Sequence, residues 1–402
     1  MELKHWELSP SLPPLLTDHG ATVSLSSYGI KSEKDFFSAI RRVASTSYDI
    51  KKFYPDTLFK ENARLPDTLI LKMLTYNPAK AIGMEEKLAK IKEGNFPFFI
   101  ITEGMPTDSN FVVYEMWIKN SRYTFHDLTL PDIRGNWKLH TSNDTVEYLL
   151  EIFGNLVNPV AKFYYRDKTS HTVKITNPAL YPYTITIDLR EINDTNFKGI
   201  YTGIIELTDD SIISLKLEEV RSKKQYIFKG RKAESYAYRA SPPQKDTTGN
   251  LWFPFSPYGR EKPLIIAEEQ KRKYLLKNGT VWLFAPDTIL TSIDILIENG
   301  KIKKIGKDLS EPGAIIVNCT GKHITPAIID EHSHIAIYGG VNESGDAISS
   351  EVRIKDVIDP EDINIFRELS GGVGISHLLH GSANPIGGQT VVVKMLWGVL
   401  SQ

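Results

Sequence analysis

At 402 residues the chain is too long for one ordinary domain and suits two or three, each large enough to bury its own core. Its 48 basic residues nearly balance 49 acidic ones and 41% of its residues are hydrophobic, an ordinary soluble composition with no net field for nucleic acid or an anionic membrane. A single cysteine, Cys319, excludes an internal disulfide framework and a thiolate metal cluster, and no run reaches the roughly 18 apolar residues of a membrane span. The first residues lack the apolar region of a signal peptide, so the expectation is a soluble chain, cytoplasmic by default and periplasmic if a longer parent carries a signal. Met1 leads into Pro- and Leu-rich text and Gln402 follows an apolar run, so both ends read as truncations of a longer protein.

Residues 21–25 form a short apolar stretch, expected as a strand. Ser32-Glu-Lys-Asp35 reads as a capping box ahead of Phe36, Phe37, Ile40 and Val43, which share a helical face. A second helix is expected over 67–74, and Asn77-Pro78 opens a third that Gly83 closes. Residues 98–102 and 111–118 are apolar, β-branched or aromatic and read as strands. From about 135 to 230 the text becomes short alternating runs at 160–165, 184–189, 200–207, 212–217 and 225–228. Ile185, Ile187 and Leu189 share one face of their run, as do Ile213, Leu215 and Leu217 of theirs, which is the period of half-buried antiparallel strands. A small all-β barrel or sandwich fits this stretch.

Residues 241–260, with Pro242, Pro243, Pro254 and Pro257 among Ser, Thr, Gly and aromatics, make a stiff connector where the main boundary falls. Beyond it strands are expected at 274–276, 281–284, 293–297 and 302–305, punctuated by the hairpin-turn dipeptides Asn278-Gly279 and Asn299-Gly300. A buried strand at 324–330 runs into Glu331-His332-Ser333-His334, and helical text at 360–369 leads to another apolar strand at 373–379. Strand, helix, strand is the beginning of a parallel α/β layout.

His332 and His334 carry the strongest chemical signal. Strand side chains repeat every two residues, so both imidazoles leave one face with Cα atoms about 6 to 7 Å apart, near enough to share one ion at roughly 2.0 to 2.1 Å Zn–N distances. Asp330 has the same parity, while Glu331 and Ser333 point the other way. Alone, the pair is a weak signal, and two hydrogen-bonded histidines at a strand end are the simpler account.

The surrounding residues resolve that choice by resemblance. Residues 301–306, then a run over 316–334 containing Thr320-Gly-Lys322, Thr325-Pro-Ala327 and Asp330-Glu-His-Ser-His334, resemble the amidohydrolase superfamily near its imidazolonepropionase-like members. The likeness continues through 340–344 and 376–389 and covers 274–398. It implies a small β-sandwich leading into the first strand of a metal-binding (β/α)8 barrel, with His332 and His334 as paired ligands. Ala327 stands where the family usually has Gly, and Gly374-Ile375 replace a usual Thr pair. The front of the chain, 71–83 with 90–94 and the strands at 98–102 and 111–118, resembles the place where the last barrel helix of the same family returns to the sandwich. The late-strand Asp of that family would fall near Ser26 to Tyr28, where no carboxylate stands.

Tail, β insert and head in that order imply the junction of two tandem modules. The expected fold class is multi-domain α/β plus all-β: a partial (β/α)8 metal-dependent hydrolase barrel with a composite β-sandwich, and a small antiparallel β domain in the middle. The expected domains are 1–127 as the C-terminal part of a first module, 128–240 all-β, 241–262 a Pro-rich linker, and 263–402 the N-terminal part of a second module. Within that last part, sandwich strands occupy 274–322 and the first barrel strands 323–402. The resemblance implies a metal-dependent hydrolase of amide or cyclic amide C–N bonds in small molecules, non-peptide or dipeptide-like, with a divalent metal, zinc the expected ion. The active site is expected to be incomplete in this chain and finished by a partner chain or the remainder of a longer parent.

Other residues admit plainer readings. His377, His380, Asn384 and Gln389 can line a pocket, although for the two histidines a satisfied structural role is the simpler account. Lys394 comes too early in the strand order to be the family's bridging lysine, and Gly387-Gly388 reads as a loop turn. The alternative to a hydrolase is a non-catalytic interaction module built on the middle β domain, with the barrel pieces as remnants. Substrate and metal identity are not legible in two imidazoles.

Overall fold

A computed structural model describes residues 12–26, 33–45, 65–119, 121–141, 147–165, 170–176, 181–192, 194, 197–235, 272–284, 287–342 and 345–397. The chain divides into two compact units, Met1–Phe125 with Asp246–Gln402, and His126–Lys245. The first unit begins with helices α1 (Leu12–Asp18), α2 (Glu33–Ser45), α3 (Asp67–Leu74), α4 (Tyr76–Ala81) and α5 (Glu85–Leu88). Ser32 of the expected capping box lies outside the described residues. Residues 21–25, expected as a strand, belong to no sheet; the Leu25 N–H is spent on the Met73 carbonyl of α3 at 3.1 Å. Gly83 closes α4 at φ +67°, a conformation that glycine adopts without steric cost. Strands β1 (Phe98–Glu103), β2 (Val112–Ile118) and β3 (Ser121–Thr124) follow.

The second unit is a closed antiparallel barrel of β4 (Gly135–Thr141), β5 (Tyr148–Gly154), β6 (Pro159–Tyr164), β7 (Ser170–Thr176), β8 (Tyr183–Asp188), β9 (Ile200–Asp209), β10 (Ile212–Glu219) and β11 (Gln225–Ser235). Each strand pairs with the next in sequence, and β11 closes on β4 from Phe228↔Thr141 to Ser235↔Gly135. Side chains fill the lumen: Trp137, Phe163, Tyr183, Ile185, Leu215 and Phe228 are fully buried. Gly203 lets β9 approach β10, since a Cβ there would stand 1.8 Å from the Lys216 carbonyl oxygen. Tyr183 Oη donates to the Pro131 carbonyl at 2.8 Å and the Trp137 indole N–H to that of Ile133 at 2.8 Å, tying the incoming segment to the lumen.

In the first unit the chain continues as β12 (Tyr274–Phe284), β13 (Asp287–Glu298), β14 (Lys301–Gly306), β15 (Ile315–Asn318), β16 (His323–Pro326) and β17 (Ile328–Ser333), then α6 (Ile363–Ser370), β18 (Val373–Leu378) and β19 (Val391–Lys394). One eight-stranded sheet runs β14-β13-β12-β16-β1-β2-β3, with β15 also on β12. The stretches around 98–124 and 274–326 therefore share a sheet, joined antiparallel from Phe99↔Pro326 to Thr102↔His323. Trp117 packs edge-on to Tyr274 with ring centroids 4.8 Å apart, and Lys322 pairs with Glu103 at 3.2 Å. Glu115 is fully buried and accepts from the Arg122 guanidinium and from the Trp117 indole N–H at 2.9 Å.

Asn299-Gly300 turns β13 into β14 with φ of 51° and 66°, as a hairpin of this kind requires. Asn278-Gly279 does not turn the chain; it is a bulge inside β12, where the register against β13 shifts between Leu276 and Gly279. The Asp294 carboxylate accepts the Asn278 N–H at 2.9 Å, and a Cβ on Gly279 would meet Ile324 Cδ1 at 2.6 Å, so tertiary packing holds the dipeptide inside the strand.

The remaining sheet has three strands, β17-β18-β19. Strand β17 runs parallel to β18 across the α6 crossover, the opening expected of an α/β barrel. Strand β19 then pairs antiparallel to β18, from Ile375↔Lys394 to Leu378↔Val391, because residues 379–390 fold straight back. No (β/α)8 barrel is formed among the described residues; the closed barrel is the antiparallel one of the second unit. The linker expected at 241–262 lies outside the described residues. No helix among the described residues is long and apolar enough to cross a membrane.

Candidate metal centre

Strand β17 forms because its first residues are needed by two cores. Ile328 packs with Ile70, Met73 and Leu74 of α3, and Ile329 with Phe98, Ile100 and Ile375. Ile328 donates its N–H to the Gly372 carbonyl at 2.9 Å, which sets the parallel register with β18. Gly374 permits this approach, since a Cβ there would lie 2.7 Å from the Phe98 ring and 3.1 Å from Ala327 Cβ.

The alternation expected at the end of β17 is broken. Asp330 stands opposite Ser376 and Ser333 opposite Leu378, so two residues, Glu331 and His332, face the single His377. Asp330 and Ser333 are both buried, at 3% and 4% exposure, whereas strict alternation would have turned Ser333 away from Asp330. A bulge of this kind re-aims side chains at a strand end.

His332 and His334 remain together. Their ring centroids are 5.1 Å apart with planes at 85°. His334 Nδ1 lies 2.9 Å from the Leu379 carbonyl oxygen. A carbonyl only accepts, so Nδ1 carries the proton and Nε2 keeps a lone pair, the tautomer that second-sphere carbonyls impose on ligating histidines. The same residue holds the strand, with the Leu379 N–H donating to the Ser333 carbonyl at 3.0 Å. Burial, then the neighbouring His334, pushes the His332 pKa down, and the Asp330 carboxylate opposes them. His332 is thus a neutral imidazole at neutral pH, as a ligand must be.

His377 joins this pair, with Nδ1 3.1 Å from the Glu331 carbonyl oxygen and Nε2 2.7 Å from the Thr390 hydroxyl. His380 turns Nδ1 toward the Gly381 carbonyl at 2.7 Å. Asn384 donates to the Asp346 carbonyl at 2.7 Å and Gln389 to that of Ser350 at 3.4 Å, so these two tie one loop to another. Lys394 lies opposite Ile375, toward the start of the strands, where burial and then Lys119 and Lys87 lower its pKa.

Two residues of the site carried no motif. Asp362 caps α6 by accepting the Asn364 N–H at 3.0 Å, and with its other oxygen accepts the Ala336 N–H at 2.7 Å. It thereby fixes the left-handed turn at Ala336, φ +54°, two residues beyond His334. The second is Thr390; only the cap was detectable, as an Asp before an apolar helical run.

Two neighbouring imidazoles, that of His334 with its tautomer set by the Leu379 carbonyl, fit as part of a nitrogen-ligand set for a divalent cation, and two donors are half of a tetrahedral one. Among the described residues no group of three or more His, Cys, Asp or Glu is placed to hold an ion.

No protein-family model matches the chain. Partial likeness is found to amidohydrolase tasK of Hapsidospora irregularis, 34% identical over 113 residues that make up 25% of this chain and 12% of that protein. D-hydantoinase of Geobacillus stearothermophilus is 37% identical over 79 residues, 19% of this chain and 16% of the enzyme. Dihydroorotase of Geobacter sulfurreducens is 50% identical over 62 residues, 15% and 14%. The chain thus spans between 12% and 16% of the length of these relatives. Among solved structures, an amidohydrolase from Thermotoga maritima MSB8 shares 37% identity over 31% of this chain and 34% of its own, at a TM-score of 0.28.

Proposed function

Because the matched stretches of this chain belong to the amidohydrolase superfamily, we propose that it contributes His332 and His334 to the metal centre of a hydrolase acting on amide or cyclic amide C–N bonds of small molecules. The observation that carries the reading is the His334 ring, oriented through Nδ1 by the Leu379 carbonyl at 2.9 Å, with the His332 ring 5.1 Å away. When bound, a divalent cation, zinc being the expected one, supplies Lewis acidity toward a carbonyl oxygen and acidifies water. The chain's own residues present the two imidazoles, keep that of His332 neutral and fix the turn behind His334. The remaining ligands and the general base come from elsewhere, so this chain alone is weakly active or inactive. Residues 1–127 and 263–402 derive from two modules in tandem, tail before head.

Metal analysis of the purified chain tests this. His332→Ala and His334→Ala should each lower bound zinc by 10-fold or more; unchanged metal content in both variants rules the ligand assignment out.

A second reading, an interaction module, draws on the barrel of the second unit. Its lumen is filled by its own aromatic side chains, so any partner would have to be bound on the outer surface.

A further inference from the structure

The bulge that aims His332 is held by a side chain from the neighbouring strand. His377 stands alone opposite Glu331 and His332, and its Nδ1 reaches the Glu331 carbonyl at 3.1 Å, in the middle of the irregularity. That carbonyl only accepts, so Nδ1 is protonated and, in the neutral ring, Nε2 is the acceptor. Thr390, the residue before β19, fills it by donating its hydroxyl at 2.7 Å. With both nitrogens engaged, the ring cannot turn over without losing two hydrogen bonds. One side chain thus links the metal-bearing end of β17, its own strand β18 and the chain entering β19.

We propose that His377 is a positioning residue for the His332 and His334 pair, pinning the β17 bulge through the Glu331 carbonyl with its tautomer locked by Thr390. The inference rests on the metal-centre reading and deepens it. Partners behind ligating groups commonly govern metal affinity by 10- to 100-fold. A purely structural histidine would instead affect folding and leave affinity alone.

Two substitutions separate these roles. Asparagine places an amide N–H where Nδ1 was and keeps the Glu331 bond, whereas glutamine places its amide near Nε2 and keeps only the Thr390 side. The 402-residue chain and its His377→Asn, His377→Gln, His377→Ala and His332→Ala variants are titrated with Co(II), read from its visible absorption, and with Zn(II) against a chromophoric chelator. Thermal melts accompany each titration. His377→Asn should bind within about 3-fold of the unsubstituted chain, and His377→Gln and His377→Ala should lose about 10- to 100-fold. Equal affinity across the His377 series overturns the inference while leaving the ligand assignment intact, as does a loss in His377→Asn as large as in His377→Gln. If the unsubstituted chain binds no metal, or His332→Ala binds equally well, the metal-centre reading falls and the inference with it. Should His377→Ala fail to fold, the asparagine and glutamine variants decide.

Discussion

Single residues in this chain act mainly by satisfying a buried neighbour. Asp362 serves the N-terminus of α6 and the turn behind His334 at once, so Asp362→Ala removes a helix cap and leaves the Ala336 N–H buried without its acceptor. The expected cost is about 2 kcal/mol in urea unfolding of the whole chain. Glu115 is a charge with no exposure, and Arg122→Ala would strip its counter-ion and cost about 3 to 5 kcal/mol; a loss below 1 kcal/mol would mean that the Trp117 indole suffices. At Asp294 burial favours the neutral acid, but Lys277 and the N–H groups of Asn278 and Leu309 outweigh it and hold the carboxyl below the usual aspartate range. A depressed folded pKa gives stability that is complete above the unfolded value, about 3.9, and lost as pH falls through the folded one. Asp294→Asn should therefore weaken the chain at pH 7 and flatten its loss of stability below about pH 4, read from urea midpoints across that range. At this scale the nearness of His332 and His334 was legible in their spacing of two residues, although the bulge at Glu331 and His332 breaks the alternation from which it was argued. His377 was legible only as a candidate lining residue, because its role depends on which carbonyl lies opposite.

Elements were legible where alternation was clean and not where packing overrode it. Strand β8 announces itself through Ile185 and Ile187, whereas β5 carries Leu149 and Phe153 on the face opposite its buried Tyr148, Leu150 and Ile152, which blurs the period. Asn278-Gly279 has the chemistry of a turn, yet Ile324 pressing on Gly279 and Asp294 holding Asn278 keep it within β12. The bulge in β17 is invisible to periodicity, since an extra residue in one strand is defined only against its partner. Close approach between strands gives a direct check: Gly203→Ala forces a Cβ onto the Lys216 carbonyl and should destabilise the barrel by about 1 to 3 kcal/mol. Wild-type stability in that variant would mean that β9 and β10 do not approach as described.

At the scale of the molecule, the second unit owes its core to itself, for every residue of that cluster falls between 130 and 228. Residues 126–245 expressed alone should unfold in one cooperative transition, followed by circular dichroism. The first unit joins 98–124 to 274–326 in one sheet across the whole length of the insert, a pairing that neither stretch discloses by itself. Among the described residues the same unit carries one parallel strand–helix–strand, with β19 folded back on it and two imidazoles at its tip. The most direct test of that tip is a crystal structure of the zinc-soaked chain with data collected across the zinc absorption edge. The expected result is an anomalous peak at roughly 2.0 to 2.1 Å from one ring nitrogen of each of His332 and His334, with His334 Nδ1 still on the Leu379 carbonyl. Rings turned apart, or a peak bound to neither, would contradict it.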